Sequence, residues 1–202
     1  RREAGGNASR RGSRNKVDQG SGEMRWNWID RYIEFESGRR AKAIKCISLA
    51  EDHMLDHFPN YPVIPNSLVV EGLAQTAGLL LCEHGDFKEK VVLAKVPKLR
   101  FHCEAVPGDR LIYTVEIQYI KPEGARVTVS SHKDDILHAE GEIMFAHLDE
   151  PRLASLFEPH GLLQMMRLLR AFDVGKAKDG SPLKPPRWLV EAAGEGTAGK
   201  GA

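Results

Sequence analysis

Cysteine is scarce in this sequence, and several motifs that mark familiar enzyme classes are missing. The 202 residues include three cysteines, Cys46, Cys82 and Cys103. An odd number without metal-site spacing argues against a disulfide framework or a cysteine-bound metal, and we expect buried thiols in a reducing cytoplasm. Neither a Gly-rich phosphate loop nor a Ser-centred nucleophile elbow occurs. The sequence therefore predicts chemistry that needs neither a metal nor a nucleotide.

An excess of charge of one sign is also missing. The chain has 29 Lys and Arg against 28 Asp and Glu, a net charge of +1, which gives no argument for binding nucleic acid. Residues 1–23 are basic, rich in Gly and Ser and almost without apolar residues, which is typical of a disordered tail. This tail lacks the apolar core of a secretory signal, so we expect a cytoplasmic protein. We divide the remainder into a domain over residues 24–150 and an extension over residues 151–202.

Three prolines precede the most apolar segment of the chain. Each proline fixes φ and lacks an N–H, so residues 59–65 are predicted to form a stiff, non-helical arm. A helix is predicted to follow over residues 68–84, with Asn66 or Ser67 as its N-terminal cap and Gly85 at its C-terminal end.

The predicted helix has almost no polar face. Its apolar residues are Leu68, Val69, Val70, Leu73, Ala74, Ala77, Leu79, Leu80, Leu81 and Cys82. A helix that is apolar on all sides is buried, and one of this length approaches a membrane span. Because Glu71 and Gln75 lie one turn apart within it, we predict a core helix and no membrane insertion.

Glu71 and His57 are the candidate catalytic residues. A carboxylate in the first turns of a buried helix loses water and becomes suited to acid chemistry, although it can instead serve to bind free N–H groups at the helix start. An imidazole can accept a proton near neutral pH, although a histidine beside an aromatic residue is more often structural. Together with the N–H groups of a helix start, the pair predicts a site that removes a proton next to a carbonyl.

Apolar and polar residues alternate downstream of the helix, as in strands with one buried face. This alternation covers residues 99–105, 111–119, 127–129 and 137–145, with turns at Pro107-Gly108-Asp109 and Pro122-Glu123-Gly124. An earlier strand is predicted over residues 42–49, after an aromatic-rich entry over residues 26–35. One buried helix with an antiparallel meander predicts the α+β class.

The residues around the helix start resemble the active-site segment of the FabZ-type 3-hydroxyacyl-[acyl carrier protein] dehydratases. The resemblance rests on His57-Phe58-Pro59, Pro62-Val63-Ile64-Pro65, Leu68, Glu71, Ala74 and Gln75, and on the later Pro107-Gly108-Asp109. It covers about residues 26–148 and implies a hot-dog fold, an antiparallel sheet wrapped around a long central helix.

The resemblance also implies an activity and roles for residues. The reaction is dehydration of a 3-hydroxyacyl thioester to the trans-2-enoyl thioester in fatty-acid or related biosynthesis, with His57 as base and Glu71 as acid. Substrate and oxyanion contacts fall on Phe58, Val63, Asn66 and Gln75. The enzyme needs no cofactor of its own, because the substrate is carried on the phosphopantetheine of acyl carrier protein. Each site takes residues from two subunits of a homodimer, which in some cases assembles further into a trimer of dimers.

Two departures from the family pattern lie close to this chemistry. Asn60 and Tyr61 replace the usual Gly-Asn, and Asn66 replaces a Gly whose N–H is thought to polarise the thioester carbonyl. If that position requires positive φ, Asn is a tolerated substitute. The departures therefore predict an altered substrate range rather than another reaction.

A group of basic residues follows the helix, namely Lys88, Lys90, Lys95, Lys98 and Arg100. One interpretation is a landing patch for acidic acyl carrier protein, and the other is a charged edge that prevents strand aggregation.

The resemblance ends near residue 151. Apolar residues at helical spacing over 162–172 predict an amphipathic helix that packs on its own dimer, with a membrane surface as the alternative. Residues 182–186 are predicted to form an extended segment and residues 194–202 a disordered end.

Two other functions remain open for the whole protein, a hot-dog thioesterase and a hot-dog protein that binds acyl chains or a partner without turnover.

Overall fold

The computed structural model describes residues 27–148 and 158–194. The predicted basic tail and the predicted disordered end lie mostly outside these ranges. In the described residues the strands are β1 (Arg31–Glu36), β2 (Arg40–Cys46), β3 (Lys90–Phe101), β4 (Arg110–Lys121), β5 (Gly124–Lys133), β6 (Ile136–Leu148) and β7 (Gly175–Lys176). The helices are α1 (His53–Asp56), α2 (Asn66–His84), α3 (Pro159–Leu168), α4 (Ala171–Val174) and α5 (Arg187–Ala192).

The seven strands form one sheet in the order β3-β6-β5-β4-β2-β1-β7. Strands β4, β5 and β6 are the predicted meander, but β3 pairs with β6 instead of β4. The expected turn at Pro107-Gly108-Asp109 therefore does not close a hairpin, and residues 102–109 cross from one part of the sheet to another. Every neighbouring pair is antiparallel except β1 with β7, so the α+β class is confirmed.

The helix α2 begins earlier than predicted, and neither Asn66 nor Ser67 caps it. Pro65 is the cap residue, with φ −56° and ψ 132°, and its carbonyl accepts the N–H groups of Leu68 (2.9 Å) and Val69 (3.3 Å). A proline fits here because the N–H that it lacks would have no helical partner. At the other end Gly85 is the cap residue, as predicted.

The concave side of the sheet covers most of α2. Leu73, Ala77 and Leu80 are fully buried and belong to the main core together with residues of β1 to β6. A narrower face remains half-buried and carries Glu71, Gln75 and Gly78. The expectation that α2 is buried on all sides is therefore wrong for the described single chain, and the half-buried face holds Glu71 and Gln75.

The aromatic-rich segment noted over residues 26–35 contains most of strand β1. Tyr32 and Phe35 on β1 are fully buried, and their rings meet edge to face at 5.0 Å. The Tyr32 hydroxyl donates to the carbonyl of Thr76 on α2 at 3.0 Å. The next strand, β2, covers residues 40–46 and not 42–49, because Ile47 leaves the sheet to exchange backbone hydrogen bonds with Gly108 and Asp109.

The C-terminal residues pack on the outer strand β1. The amphipathic helix exists as α3, shorter than predicted because Arg170, just beyond it, has φ 60° and separates it from α4. Leu163, Met166 and Leu169 are buried in the same core as α2, and the Tyr32 N–H donates to the Leu169 carbonyl at 2.8 Å. None of the helices in the described ranges has the length and hydrophobicity needed to cross a membrane.

Candidate active site

His57 lies at the C-terminal end of α1, on the loop that leads to α2. Its N–H donates to the His53 carbonyl at 3.1 Å, and its carbonyl accepts the Val63 N–H at 3.2 Å. The ring is half-buried and stacks on Phe58 with 4.3 Å between ring centres. Its Nδ1 lies 3.3 Å from the Val63 carbonyl oxygen. Because a carbonyl only accepts, Nδ1 carries the hydrogen and Nε2 is left as the proton acceptor.

The loop turns sharply at Asn60, which has φ 66°. The backbone N–H groups of Phe58 and Tyr61 donate to each other's carbonyls at 3.0 and 2.8 Å and close the turn. Asparagine tolerates this left-handed conformation better than most residues. Asn66, by contrast, lies inside α2 and is not among the positive-φ residues. Tolerance of positive φ therefore explains the asparagine at position 60 and not the one at position 66.

Glu71 is held by two hydrogen bonds in series. The Gln75 side-chain amide donates to Glu71 Oε1 at 2.9 Å, and Gln75 Oε1 accepts the backbone N–H of Trp28 at 2.9 Å. Both side chains are half-buried. Gln75 thus fixes one carboxyl oxygen of Glu71 and leaves Oε2 for another partner. Gln75 therefore orients Glu71, the proposed acid, in addition to the substrate contact that the sequence predicts for Gln75.

The start of α2 supplies hydrogen-bond donors. The N–H groups of Asn66 and Ser67 have no partner within the helix, because the carbonyls that they would need precede its start, and Leu68 and Val69 are the first residues to donate to the Pro65 carbonyl. Both residues are exposed. A developing oxyanion near this end would be stabilised by the two N–H groups and by the helix dipole.

The proposed base and acid are not joined by a hydrogen bond within the described chain. Among the residues described, no hydrogen bond or ion pair links His57 to Glu71. Of the other predicted substrate contacts, Val63 is 8% exposed and Phe58 is 56% exposed, so Phe58 forms part of an open rim. The assignment of these residues to the substrate stays a prediction.

A second set of polar residues beside the His57 loop was missed by sequence reasoning. The Tyr61 hydroxyl donates to the carboxylate of Glu104, and the Ile64 N–H donates to the Ala105 carbonyl at 3.0 Å. Lys133 donates to the Glu104 carbonyl at 3.3 Å and pairs with Asp109 at 3.2 Å. The only sequence signal was that Tyr61 departs from the family pattern and that Asp109 belongs to the second motif.

The five predicted carrier-binding cations are spread along β3 and the loop before it. Lys90 and Arg100 are separated by about 33 Å at a strand rise of ~3.3 Å per residue. Lys88 pairs with Asp86 at 3.0 Å. Lys98 and Arg100 stand opposite Glu142 and Glu140 on β6, which weakens the local positive potential. The landing patch stays a prediction.

A cavity in the described chain lies away from His57 and Glu71. It has a volume of about 660 Å³ and is lined by the C-terminal end of α2 and by residues 177–186. On its wall, burial raises the pKa of Glu83 and lowers that of His84. We place the candidate site at the loop and helix start because both proposed catalytic residues lie there, and neither His57 nor Glu71 lines the cavity.

The cysteines differ in exposure. Cys82 is buried, as expected, and burial raises the pKa of its thiol to about 12. Cys46 is exposed and Cys103 is half-buried, so the expectation of three buried thiols is wrong, since both lie at or beyond strand ends. Within the described ranges, no three side chains of metal-binding type come together.

Comparison with known proteins agrees with this geometry. Residues 22–146 match the FabA-like domain family. A 3-hydroxyacyl-[acyl-carrier-protein] dehydratase FabZ from Listeria monocytogenes serotype 4b is 38% identical over 125 residues, which cover 61% of this chain and 87% of that protein. The FabZ of Ruminiclostridium cellulolyticum is 38% identical over 119 residues, with coverages of 58% and 84%.

Two solved structures share the fold. The uncharacterized protein PH1136 from Pyrococcus horikoshii superposes with a TM-score of 0.51 and 19% identity, covering 63% of this chain and 88% of that one. The fluoroacetyl-CoA thioesterase FlK gives a TM-score of 0.51 and 13% identity, with coverages of 59% and 93%. At these identities the likeness is one of fold alone, and it confirms the hot-dog architecture. The family match and the FabZ relatives go further, and the chain therefore belongs to the FabA-like domain family.

Proposed function

We propose that the protein dehydrates 3-hydroxyacyl-[acyl carrier protein] to trans-2-enoyl-[acyl carrier protein] in fatty-acid or related acyl-chain biosynthesis. The observation that carries this function is the pairing of His57 and Glu71 in the motif positions of a chain 38% identical to FabZ dehydratases. Two obstacles oppose the reaction, since the α-proton of a thioester is weakly acidic and hydroxide is a poor leaving group. The site offers one residue for each obstacle.

His57 acts as the base. Its Nδ1 hydrogen is directed to the Val63 carbonyl, so Nε2 takes the α-proton while the C–H electrons form the new double bond. The N–H groups of Asn66 and Ser67 stabilise negative charge on the thioester oxygen as it develops. Glu71 gives its proton to the β-hydroxyl, and the C–O bond breaks to release water. Proton transfer from His57 back to Glu71 through solvent restores the starting state.

The acid and base of one site come from two chains in this proposal. Support comes from the unpaired outer side of β3 at the edge of the sheet and from the half-buried face of α2 that carries Glu71. Leu93 and Val96 on β3 are 41% and 37% exposed. Antiparallel pairing of two β3 strands would cover these residues and make a two-fold dimer.

Acyl carrier protein is the proposed partner, with its phosphopantetheine arm entering beside the Phe58 rim. The support is the acidic nature of such a carrier together with Lys95, Lys98 and Arg100 on the exposed strand β3. Because Glu140 and Glu142 lie on the neighbouring strand, we propose a weak, salt-sensitive encounter in place of a strong electrostatic clamp.

The test uses 3-hydroxybutyryl, 3-hydroxyoctanoyl and 3-hydroxydodecanoyl thioesters on acyl carrier protein and on coenzyme A. The expected product is the enoyl thioester, formed faster from the carrier protein at low salt. Release of the free acid would instead identify a thioesterase. Tight binding without any product, with a folded protein, would identify a non-catalytic acyl-binding protein.

A further inference from the structure

The turn that carries His57 has few attachments to the rest of the molecule. Phe58, Pro59, Asn60 and Tyr61 are all exposed, and the two backbone hydrogen bonds between Phe58 and Tyr61 hold the turn only to itself. A segment with so few buried contacts can shift as a unit without unfolding the core. His57 itself is bonded to His53 and Val63, but its ring also stacks on Phe58, so a contact that fixes the turn from outside acts on the ring as well.

The side chain of Tyr61 makes such an outside attachment. Its hydroxyl donates to Glu104, which is 43 residues away in sequence, on the segment between β3 and β4. The carboxylate of Glu104 raises the pKa of Tyr61 by accepting this hydrogen bond and by its charge. Hydrogen bonds to an ionised acceptor are the stronger kind.

Glu104 itself rests on a well-anchored segment. Its carbonyl accepts from Lys133 on β5, and the neighbouring Ala105 is 1% exposed and accepts the Ile64 N–H. Lys133 also pairs with Asp109, whose carboxylate accepts the Val106 N–H at 2.9 Å. The segment after β3 is therefore tied to β5 and can serve as a fixed support for the turn.

We propose that Tyr61 is a positioning residue for His57, acting through its hydrogen bond to Glu104. This inference rests on the proposed role of His57 as base. Only one residue lies between Tyr61 and the His57 ring. The backbone of Tyr61 is hydrogen-bonded to that of Phe58, and the Phe58 ring stacks on the His57 ring. Tyr61 holds the ring so that Nε2 faces the α-carbon, and it does not itself touch the reacting atoms.

The expected signature is a loss of kcat without a matching loss of stability or affinity. A base displaced by a fraction of an ångström loses much of its rate, whereas the hydroxyl of a tyrosine that is 55% exposed adds little to folding. Tyr61→Phe removes only the hydroxyl. We expect kcat to fall roughly tenfold, with KM and Tm close to those of the wild type. Tyr119→Phe is the matched control, since Tyr119 is also exposed (39%) and lies on β4.

A double-mutant cycle separates this bond from other effects of the two residues. Glu104→Ala should lower kcat as much as Tyr61→Phe, and the double variant should be no slower than either one. Glu104→Gln keeps an acceptor and should recover most of the activity. Additive losses, or a Tyr61→Phe variant as active as Tyr119→Phe, would overturn the proposal. If Tyr61→Phe does not fold, the two Glu104 variants decide.

A readout that does not need turnover separates this inference from the proposed function. In the ¹⁵N spectrum of the His57 imidazole, Tyr61→Phe should shift or broaden the signals and Tyr119→Phe should leave them in place. An inactive wild type would refute the proposed function, and the spectrum would still test the attachment. Unchanged His57 signals in Tyr61→Phe would overturn the positioning role even in an active enzyme.

Discussion

Two histidines of this chain, His57 and His138, differ in burial and therefore in the role that each can have. His57 lies half-buried on an exposed turn, whereas His138 on β6 is fully buried, with Nδ1 3.0 Å from Ser131 Oγ. Burial lowers the pKa of His138, and the nearby charges of Lys133 and His102 act in the same direction, opposed by Asp109. His138 is thus a neutral residue of the sheet interior.

The lowered pKa of His138 predicts a pH-dependent stability. Below its ordinary value of 6.5 the unfolded chain binds a proton that the folded chain excludes, so stability is full above that pH and falls as the pH decreases through it. We expect the Tm of the wild type to drop between about pH 7 and pH 5. His138→Asn should flatten this slope, while His160→Asn, a change at an exposed position of α3, should not. Equal slopes in all three proteins would contradict the assignment.

The sequence alone proposes His57 and Glu71 as candidates, but it does not show which residues hold them. The hydrogen-bonded series from Trp28 through Gln75 to Glu71 and the bond from Tyr61 to Glu104 join residues 47 and 43 positions apart. Nothing in a periodic pattern predicts such pairs. The positive φ was expected at Asn66 and occurs at Asn60, because the chain turns within the proline-rich arm and not at the helix start.

At the level of elements, α2 meets β4 most closely at Gly72. A Cβ on this residue would lie 2.5 Å from the Tyr113 ring and 2.8 Å from the Trp28 carbonyl. Both neighbours are held in place, since Tyr113 is fully buried and the Trp28 N–H is bonded to Gln75. The helix turn that carries Glu71 can therefore lie this close to β4 only because Gly72, the next residue, has no side chain.

Gly72→Ala should consequently destabilise the fold and disturb Glu71. We expect a loss of about 1–3 kcal/mol in the free energy of unfolding, as for other overpacked core sites. The control is Gly161→Ala in α3, where an added Cβ meets nothing within 4 Å and helix propensity favours alanine. Chemical denaturation measures both. A Gly72→Ala protein as stable as Gly161→Ala would show that α2 and β4 lie further apart.

The elements themselves were predicted unevenly. The alternation over residues 111–145 gave β4 to β6, and the apolar run gave α2. Strand β1 was interpreted as a covering segment because five of its six residues are aromatic or charged, in no simple period-two order. Pairing of β3 with β6 was missed because a proline-glycine turn ordinarily suggests a hairpin, whereas strand order depends on long-range packing.

On the scale of the whole molecule, the two edges of the sheet are unequal. At one edge β1 is covered by β7 and by the helices of residues 158–194, with the Trp188 indole donating to the Asp86 carbonyl at 3.1 Å. At the other edge β3 pairs with β6 on its inner side, and no strand of the described chain pairs with its outer side. The C-terminal segment thus leaves β3 as the edge for the proposed dimer, and the half-buried face of α2 with Glu71 is the surface that a partner would complete.

The most direct measurement of the shared site is complementation between His57→Ala and Glu71→Gln. Each variant alone should lose at least ~100-fold in kcat/KM, since each removes one partner in proton transfer. After subunit exchange about half of the dimers are mixed, and each mixed dimer has one intact site. Activity should return to roughly a quarter of wild type under two-fold symmetry. A single variant that retains activity, or confirmed exchange without recovery, would contradict a site built from His57 of one chain and Glu71 of the other.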